Sequence, residues 1–497
     1  MTTTTFTTRL LQLPPLWVAV VVSAVLSLIS VLQNPILNDD AYGYLRAAEL
    51  FSTGSAAEVF EQYGWYSYSL LIALLNPVVP GGLVASAHLL NAVLMAALVA
   101  AFISVCRELQ PGPRIPWLAA LTILVFPMLN EMRYMLIRDF GFLAFSLWSL
   151  FLLLRFQASG RWQYALAWCV ALSLAAAFRL EALLLLALAP LSLLRQPRQT
   201  VVLYAVVIAC AAAFTVVSTM LQVNVLDLMQ FAYRYYLPQL IALSDVLTTN
   251  ANALGNSLFT TENFPGSNNT AHSMVILLFA YSYSALINLS EALSVPVSLL
   301  LLYAGWRGWL RLAIRGRAPL LIYMACSALA LLLFISIMHF LTQRYAALLS
   351  ILLLLLVPGV LNRWYDLVPV PQQRRFRLIS GCFVVYFVID SLVSFGHSRD
   401  YVEEAAAWIQ TELPADKTLH TNSYFLAYES GRIEHYDKVA VPVAQTLAES
   451  TPMSSLAIAL RAHDATVLAA LEADQRLALV KSFSNSRGDE VRIYDVR

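Results

Sequence analysis

Asp39 and Asp40 stand side by side at the mouth of the first membrane-length apolar run, Leu13 to Leu32, within Leu37-Asn38-Asp39-Asp40-Ala41-Tyr42-Gly43-Tyr44-Leu45-Arg46. Two adjacent carboxylates are costly to keep near lipid, so they mark a candidate functional site. A carboxylate so placed can act as a general base or hold a cation. Asp40 also suits the cap of an amphipathic helix over Ala41–Ser52. A second cluster, Asn130 to Asp139, packs Glu131, Arg133, Arg138 and Asp139 together. Asp139 opens an apolar run, where a helix dipole favours it. The same cluster suits a second acidic wall with an arginine facing a phosphate.

Arg179 with Glu181, and Gln343-Arg344-Tyr345, each sit where a loop enters an apolar run. The planar guanidinium fork donates two parallel hydrogen bonds to phosphate. An arginine snorkelling to the headgroups carries the same sequence signature. Arg234, inside Phe231-Ala232-Tyr233-Arg234-Tyr235-Tyr236, suits either a sugar or an interfacial aromatic belt. Asp390 in the last apolar run has no evident partner. There is no phosphate-cradling Gly-rich loop, no His/Cys metal set and no nucleophile elbow. The five cysteines lie in or beside apolar runs and read as small core residues. Without a nucleotide motif, an activated donor has to arrive in another form, and a lipid-linked one can enter sideways from the bilayer.

The elements that position these residues are membrane helices. The 497 residues are 59% hydrophobic and 12% charged, with mean hydropathy +0.68, against about 25% charged in soluble domains. A net charge of +1 gives no reason to expect nucleic acid. Apolar runs predict spans at 13–33, 82–106, 115–130, 139–156, 162–179, 180–195, 200–222, 286–306, 319–341, 345–362 and 377–397, about eleven in all. Tyr66–Asn76 and Ala271–Ile287 are apolar but look short. The first run lacks a small-x-small cleavage site and is expected to be retained. With a cytoplasmic amino terminus, fifteen arginines fall on the cytoplasmic side and six on the other, a positive-inside bias. Asp39 then faces away from the cytoplasm.

Residues 1–397 are expected to form the transmembrane domain, with a first outer loop at 34–81 and a long outer loop at 223–273. Residues 398–497 carry all three lysines and an ordinary charge density. Tyr401–Leu413 reads as an amphipathic helix, and Thr418–Thr421, Leu477–Phe483 and Glu490–Val496 as strands. This predicts a small α/β domain on the same outer side as Asp39. No internal repeat is evident.

The acidic pair in the first outer loop, followed by a tyrosine and an amphipathic helix, resembles the GT-C superfamily of integral membrane glycosyltransferases. Within it the likeness is to the protein O-mannosyltransferase and aminoarabinose transferase group. Asp39-Asp40-Ala41-Tyr42 matches that group's first-loop motif, Asp139 its second acid, and Gln343-Arg344-Tyr345 its late arginine-tyrosine pair. The family often has Asp-Glu where this chain has Asp39-Asp40, and Pro-Pro-Leu where it has Tyr66–Leu70. The second difference bears on substrate identity.

The resemblance implies a mainly α, GT-C-like bundle in a bacterial inner membrane, with a periplasmic carboxy-terminal α/β domain. It implies transfer of a sugar from a polyprenyl-phosphate donor to a periplasmic lipid, glycan or protein, with inversion. Asp39, Asp40 and Asp139 would be catalytic, with Asp39 as base. Arg138, Arg344, Tyr345, Arg179, Glu131 and Tyr42 would bind substrate. Carboxylates suit a divalent cation such as Mg or Mn, to be held by Asp39, Asp40 and Asp139, although nothing in the residues requires one. The alternatives are a transporter or flippase of lipid-linked sugars, against which the missing repeat argues, and a polysaccharide polymerase or ligase.

Overall fold

The computed structural model describes residues 14–54, 58–60, 66–220, 237–258, 272–311, 316–392, 399–432, 439 and 442–497. Arg234 with its aromatic neighbours and the expected domain boundary at 397–398 lie outside these residues.

Helix α1 (Pro15–Gln33) is the first span, started by a proline whose missing N–H costs nothing there. The first loop folds into α2 (Asp39–Ser52) and α3 (Tyr66–Leu75). Then α4 (Gly82–Leu109) crosses the bundle centre. The expected span 115–130 instead stops as α5 (Ile115–Leu124), because Pro127 cannot continue a helix. A short α6 (Pro127–Glu131) follows, and Asn130 Nδ2 donates to the Leu124 carbonyl at 2.9 Å, satisfying the break. Helix α7 (Asp139–Ser159) is a deeply buried span.

Helices α8 (Trp162–Phe178) and α9 (Ala182–Leu188) meet at a turn, Arg179–Glu181, where Arg179 adopts extended backbone. The apolar stretch Ala182–Leu193 rises about 18 Å at 1.5 Å per residue, short of the roughly 30 Å hydrocarbon core. Arg179 in the turn is buried in protein, the setting in which irregular backbone and charge are tolerated among apolar helices.

Helix α10 (Pro197–Met220) is the next span, followed by α11 (Leu243–Leu258) from the long loop and α12 (Ser273–Leu293). The run 271–287, expected to be short, is thus a full-length helix. The run 286–306, expected as one span, is broken at Ser294, whose φ of 67° precedes Pro296 and α13 (Val295–Trp306). Then come α14 (Arg317–Met338), α15 (Gln343–Leu354), α16 (Val357–Leu367) and α17 (Gln373–Leu392). Among the described residues, seven helical stretches are long and apolar enough to span: α1, α4, α7, α10, α12, α14 and Gln343–Leu367. Shorter apolar helices stand at 115–130, 162–179 and 180–195, and the expected span 377–397 is α17, which is not among the seven.

After α18 (Asp400–Glu412) the chain forms β1 (Thr418–Thr421), α19 (Tyr424–Ser430), α20 (Val443–Glu449), β2 (Ser454–Leu460), α21 (Ala465–Ala473), β3 (Leu477–Ser484) and β4 (Glu490–Val496). The sheet order is β1-β2-β4-β3, with β1 parallel to β2 and the other pairs antiparallel. Leu456, Ile458 and Leu460 alternate with Ala457, so β2 buries side chains on both faces.

This unit rests on the first-loop helix. Tyr424 of α19 stacks on Tyr42 of α2, with ring centroids 5.8 Å apart and planes at 9°, and Tyr428 leans on it at 5.5 Å. The α/β domain therefore sits at the end of the bundle that carries Asp39.

Candidate active site

Helix α2 starts at Asp39, with Asn38 rather than Asp40 in the cap position. Asn38 turns its amide away from α2 and pairs with the Leu136 backbone, accepting from the N–H at 2.8 Å and donating to the carbonyl at 3.3 Å. That pairing ties the first acidic segment to the second. Asp39 and Asp40 lie in the first turn of α2, where the helix dipole favours negative charge.

Arg344, the second residue of α15, closes the arrangement. Its Nη1 donates to Asp40 Oδ2 at 2.7 Å and its Nη2 to Asp139 Oδ2 at 3.0 Å. Asp139, 2% exposed, also accepts from Arg179 Nη1 at 2.5 Å. Arg179 in turn donates to Glu181 at 2.5 Å. Its guanidinium lies 4.8 Å from the centre of the Tyr345 ring and 5.5 Å from that of Phe142, a stacking that suits arginine and not lysine. Tyr345 is held by Phe334, with centroids 3.7 Å apart. Gly141 makes this packing possible, since a Cβ there would overlap the Phe178 ring. The charge of Arg138 is felt at Asp139, Glu181 and Tyr44.

Six of the residues singled out in the sequence thus converge: Asp40, Asp139, Arg138, Arg179, Arg344 and Tyr345, joined by Glu181. Asp39 borders the group, exposed and without a hydrogen bond or ion pair to a described residue.

Two expected substrate contacts lie elsewhere. Tyr42 is fully buried under Tyr424 and Tyr428, so it serves the domain contact. Glu131 faces α17, where packing around its carboxyl and then the Asp390 charge push it above the ordinary range. Asp390 thereby gains the neighbour that the sequence did not reveal. Arg133, just after α6, is buried against α1, donating to Ser23, Ser27 and Asn130, and it holds the broken α5–α6 segment.

Sequence reading passed over Tyr44, which lies one helical turn beyond Asp40 on the same face of α2. Its ring meets Tyr68 edge-on at 5.0 Å. Tyr68 donates to Asn91 at 2.8 Å, and Asn91 donates to the Met135 carbonyl at 2.7 Å. The i, i+4 spacing from Asp40 is the signal that could have singled it out.

The residues do not fit a divalent cation as arranged. Arg344 stands between Asp40 and Asp139, and Arg179 takes the other Asp139 oxygen. No group of three His, Cys, Asp or Glu among the described residues could hold a metal. Beside the charged group is a small cleft with Arg179, Glu181 and Tyr345 in its lining. Phe142, Leu185, Leu331, Phe334 and Leu348 form its apolar walls.

No protein-family model matches the chain, and no curated protein matches it. Among solved structures it is similar to the archaeal oligosaccharyltransferase AglB from Archaeoglobus fulgidus, in complex with an inhibitory peptide and a dolichol-phosphate. That match has a TM-score of 0.51 at 13% identity, covering 96% of this chain and 74% of that one. A second structure, the Archaeoglobus fulgidus oligosaccharyltransferase complex with Zn and sulfate, aligns at TM-score 0.44 and 14% identity over 81% of this chain and 56% of that one. The chain thus shares its fold with the archaeal oligosaccharyltransferase AglB.

Proposed function

We propose that the protein is an inverting membrane glycosyltransferase that moves a sugar from a polyprenyl-phosphate donor to an acceptor hydroxyl at the outer face of a bacterial inner membrane. The observation that carries this reading is the Arg344 bridge. One guanidinium joins carboxylates from the first turns of two separate helices beside a small cleft lined by charged and apolar side chains. A guanidinium beside apolar side chains matches the chemistry of a phosphate on an isoprenoid tail. The dolichol-phosphate in the AglB structure supports the same class of donor.

Asp39 acts as general base, since it is the acid of the group not held by an arginine. It takes the proton of the acceptor hydroxyl, whose oxygen attacks the anomeric carbon. The bond from that carbon to the phosphate oxygen breaks, and the phosphate leaves with the electron pair. Arg344, Arg179 and Arg138 stabilise the departing charge, an effect that is strong where water is scarce. Asp40, with 48% of its side chain exposed, is the partner that Arg344 can exchange for phosphate. Asp139 stays with Arg179 and keeps Arg344 in place.

The test is transfer by purified protein in detergent, using polyprenyl-phosphate sugars and envelope extract as acceptor. Release of free polyprenyl phosphate with sugar appearing on the acceptor is the expected result. Movement of an intact lipid-linked sugar across proteoliposomes, without release, would replace the enzyme with a transporter.

A further inference from the structure

Helix α2 presents two tyrosines to opposite sides. Residues 42 and 44 are about 200° apart around a helix of 3.6 residues per turn. Tyr42 goes to the α/β domain, and Tyr44 goes to the charged group under Asp40. The Tyr44 ring is fixed against Tyr68, which is anchored through Asn91 to the backbone of Met135, three residues before Arg138. The same ring is close enough to feel Arg138, Asp139, Asp40 and Arg344. Its hydroxyl makes no hydrogen bond to a described residue.

Resting on the glycosyltransferase reading above, we infer that the Tyr44 hydroxyl is a hydrogen-bond donor to a non-bridging oxygen of the lipid phosphate. The phenol adds what the arginines do not. It is a neutral donor on a short, rigid arm, so it can bind phosphate without disturbing the balance of guanidiniums and carboxylates around Arg344. Burial is the main influence on the hydroxyl and, against the opposing pull of Arg138, pushes it up to about 12. It therefore keeps its proton at any physiological pH. Hydrogen bonds to charged groups are the stronger kind, worth about 1.5–3 kcal/mol, which corresponds to roughly 10–100-fold in affinity.

The test uses Tyr44→Phe, which keeps the ring and its contact with Tyr68. Binding of farnesyl phosphate and of farnesol to purified wild-type and variant protein is measured by calorimetry, together with the melting temperature. The expected result is a wild-type preference for farnesyl phosphate that falls at least tenfold in Tyr44→Phe, with farnesol affinity and melting temperature unchanged. A full phosphate preference in the variant would overturn the role of Tyr44 and leave the phosphate site standing. A wild-type protein that does not distinguish the two ligands would overturn the phosphate site itself, and the inference with it. A Tyr44→Phe protein that binds both ligands weakly would also overturn the inference, because the hydroxyl would then matter to packing and not to phosphate.

Discussion

Arg344 and Asp40 are 304 residues apart in the chain and 2.7 Å apart in space. The contact links the start of α15 to the first turn of α2, and the second arm of the same guanidinium reaches Asp139 at the start of α7. Three helix starts are thereby held around one side chain. Its two arms serve two acids at once, which is a task for a planar fork.

Lysine in place of Arg344 keeps the charge but can serve only one of the two carboxylates. Arg344→Lys is expected to lower kcat/KM for transfer by about 10²-fold or more, the scale lost with one oxyanion donor. Insertion and yield should match the wild type. Wild-type turnover in this variant would reduce Arg344 to a headgroup anchor.

The two first-loop acids differ in what holds them. Asp39→Asn removes the base and is expected to cost about 10²–10⁴-fold in turnover. Asp40→Asn removes one partner of a half-exposed ion pair, so the folded state should lose at most about 1 kcal/mol. Its effect should fall on donor KM more than on kcat. A dead Asp40→Asn beside an active Asp39→Asn would move the base by one residue.

Gly141→Ala sets helix propensity against overlap. Alanine gains about 0.5–1 kcal/mol within a helix, but its methyl collides with the Phe178 ring, and overpacking costs about 1–3 kcal/mol. The overlap should win, lowering the melting temperature and displacing Arg179 next to Phe178. Adding Phe178→Ala should recover part of the loss, since the two sites touch. Equal damage in single and double variants would show that the contact is not the cause.

Tyr424→Ala removes the ring stacked on Tyr42. Aromatic pairs are worth about 0.5–1.5 kcal/mol beyond their buried area, so the α/β domain should loosen without unfolding. Hydrogen exchange is expected to rise together in α19 and α2, with a fall in kcat because Asp39 and Tyr44 ride on α2. Faster exchange in α19 alone would mean that the domain does not steady the acidic helix.

The orientation is checked by labelling single cysteines from outside the cell in an otherwise cysteine-free protein. Ser486→Cys, in the turn between β3 and β4, should react, whereas Gln373→Cys at the start of α17 should not. The reverse pattern would put the acidic loop in the cytoplasm and remove the argument for a lipid-linked donor.

Membrane class, the acidic first loop and three of the four strands were legible in the sequence, because each rests on local chemistry. Long apolar runs answer to the bilayer, and β3 and β4 advertise themselves through the turn between them. Strand β2 escaped because Ser454–Leu460 is buried on both faces and shows no alternation of polar with apolar residues. Span lengths were misjudged where Pro127 and Ser294 interrupt apolar runs, since hydropathy does not register backbone breaks. The charged residues stood out one by one, but their pairing did not. Only the packing of α2, α7, α8 and α15 decided that Arg344 bridges Asp40 and Asp139 and that Arg179 secures Asp139, and only that of α6 on α17 brought Glu131 to Asp390. It also decided which tyrosine of α2 meets the site. An amphipathic pattern shows that a helix has two sides, while the neighbours each side meets come from hundreds of residues away, and for Tyr42 and Tyr44 those neighbours were the α/β domain and the charged group.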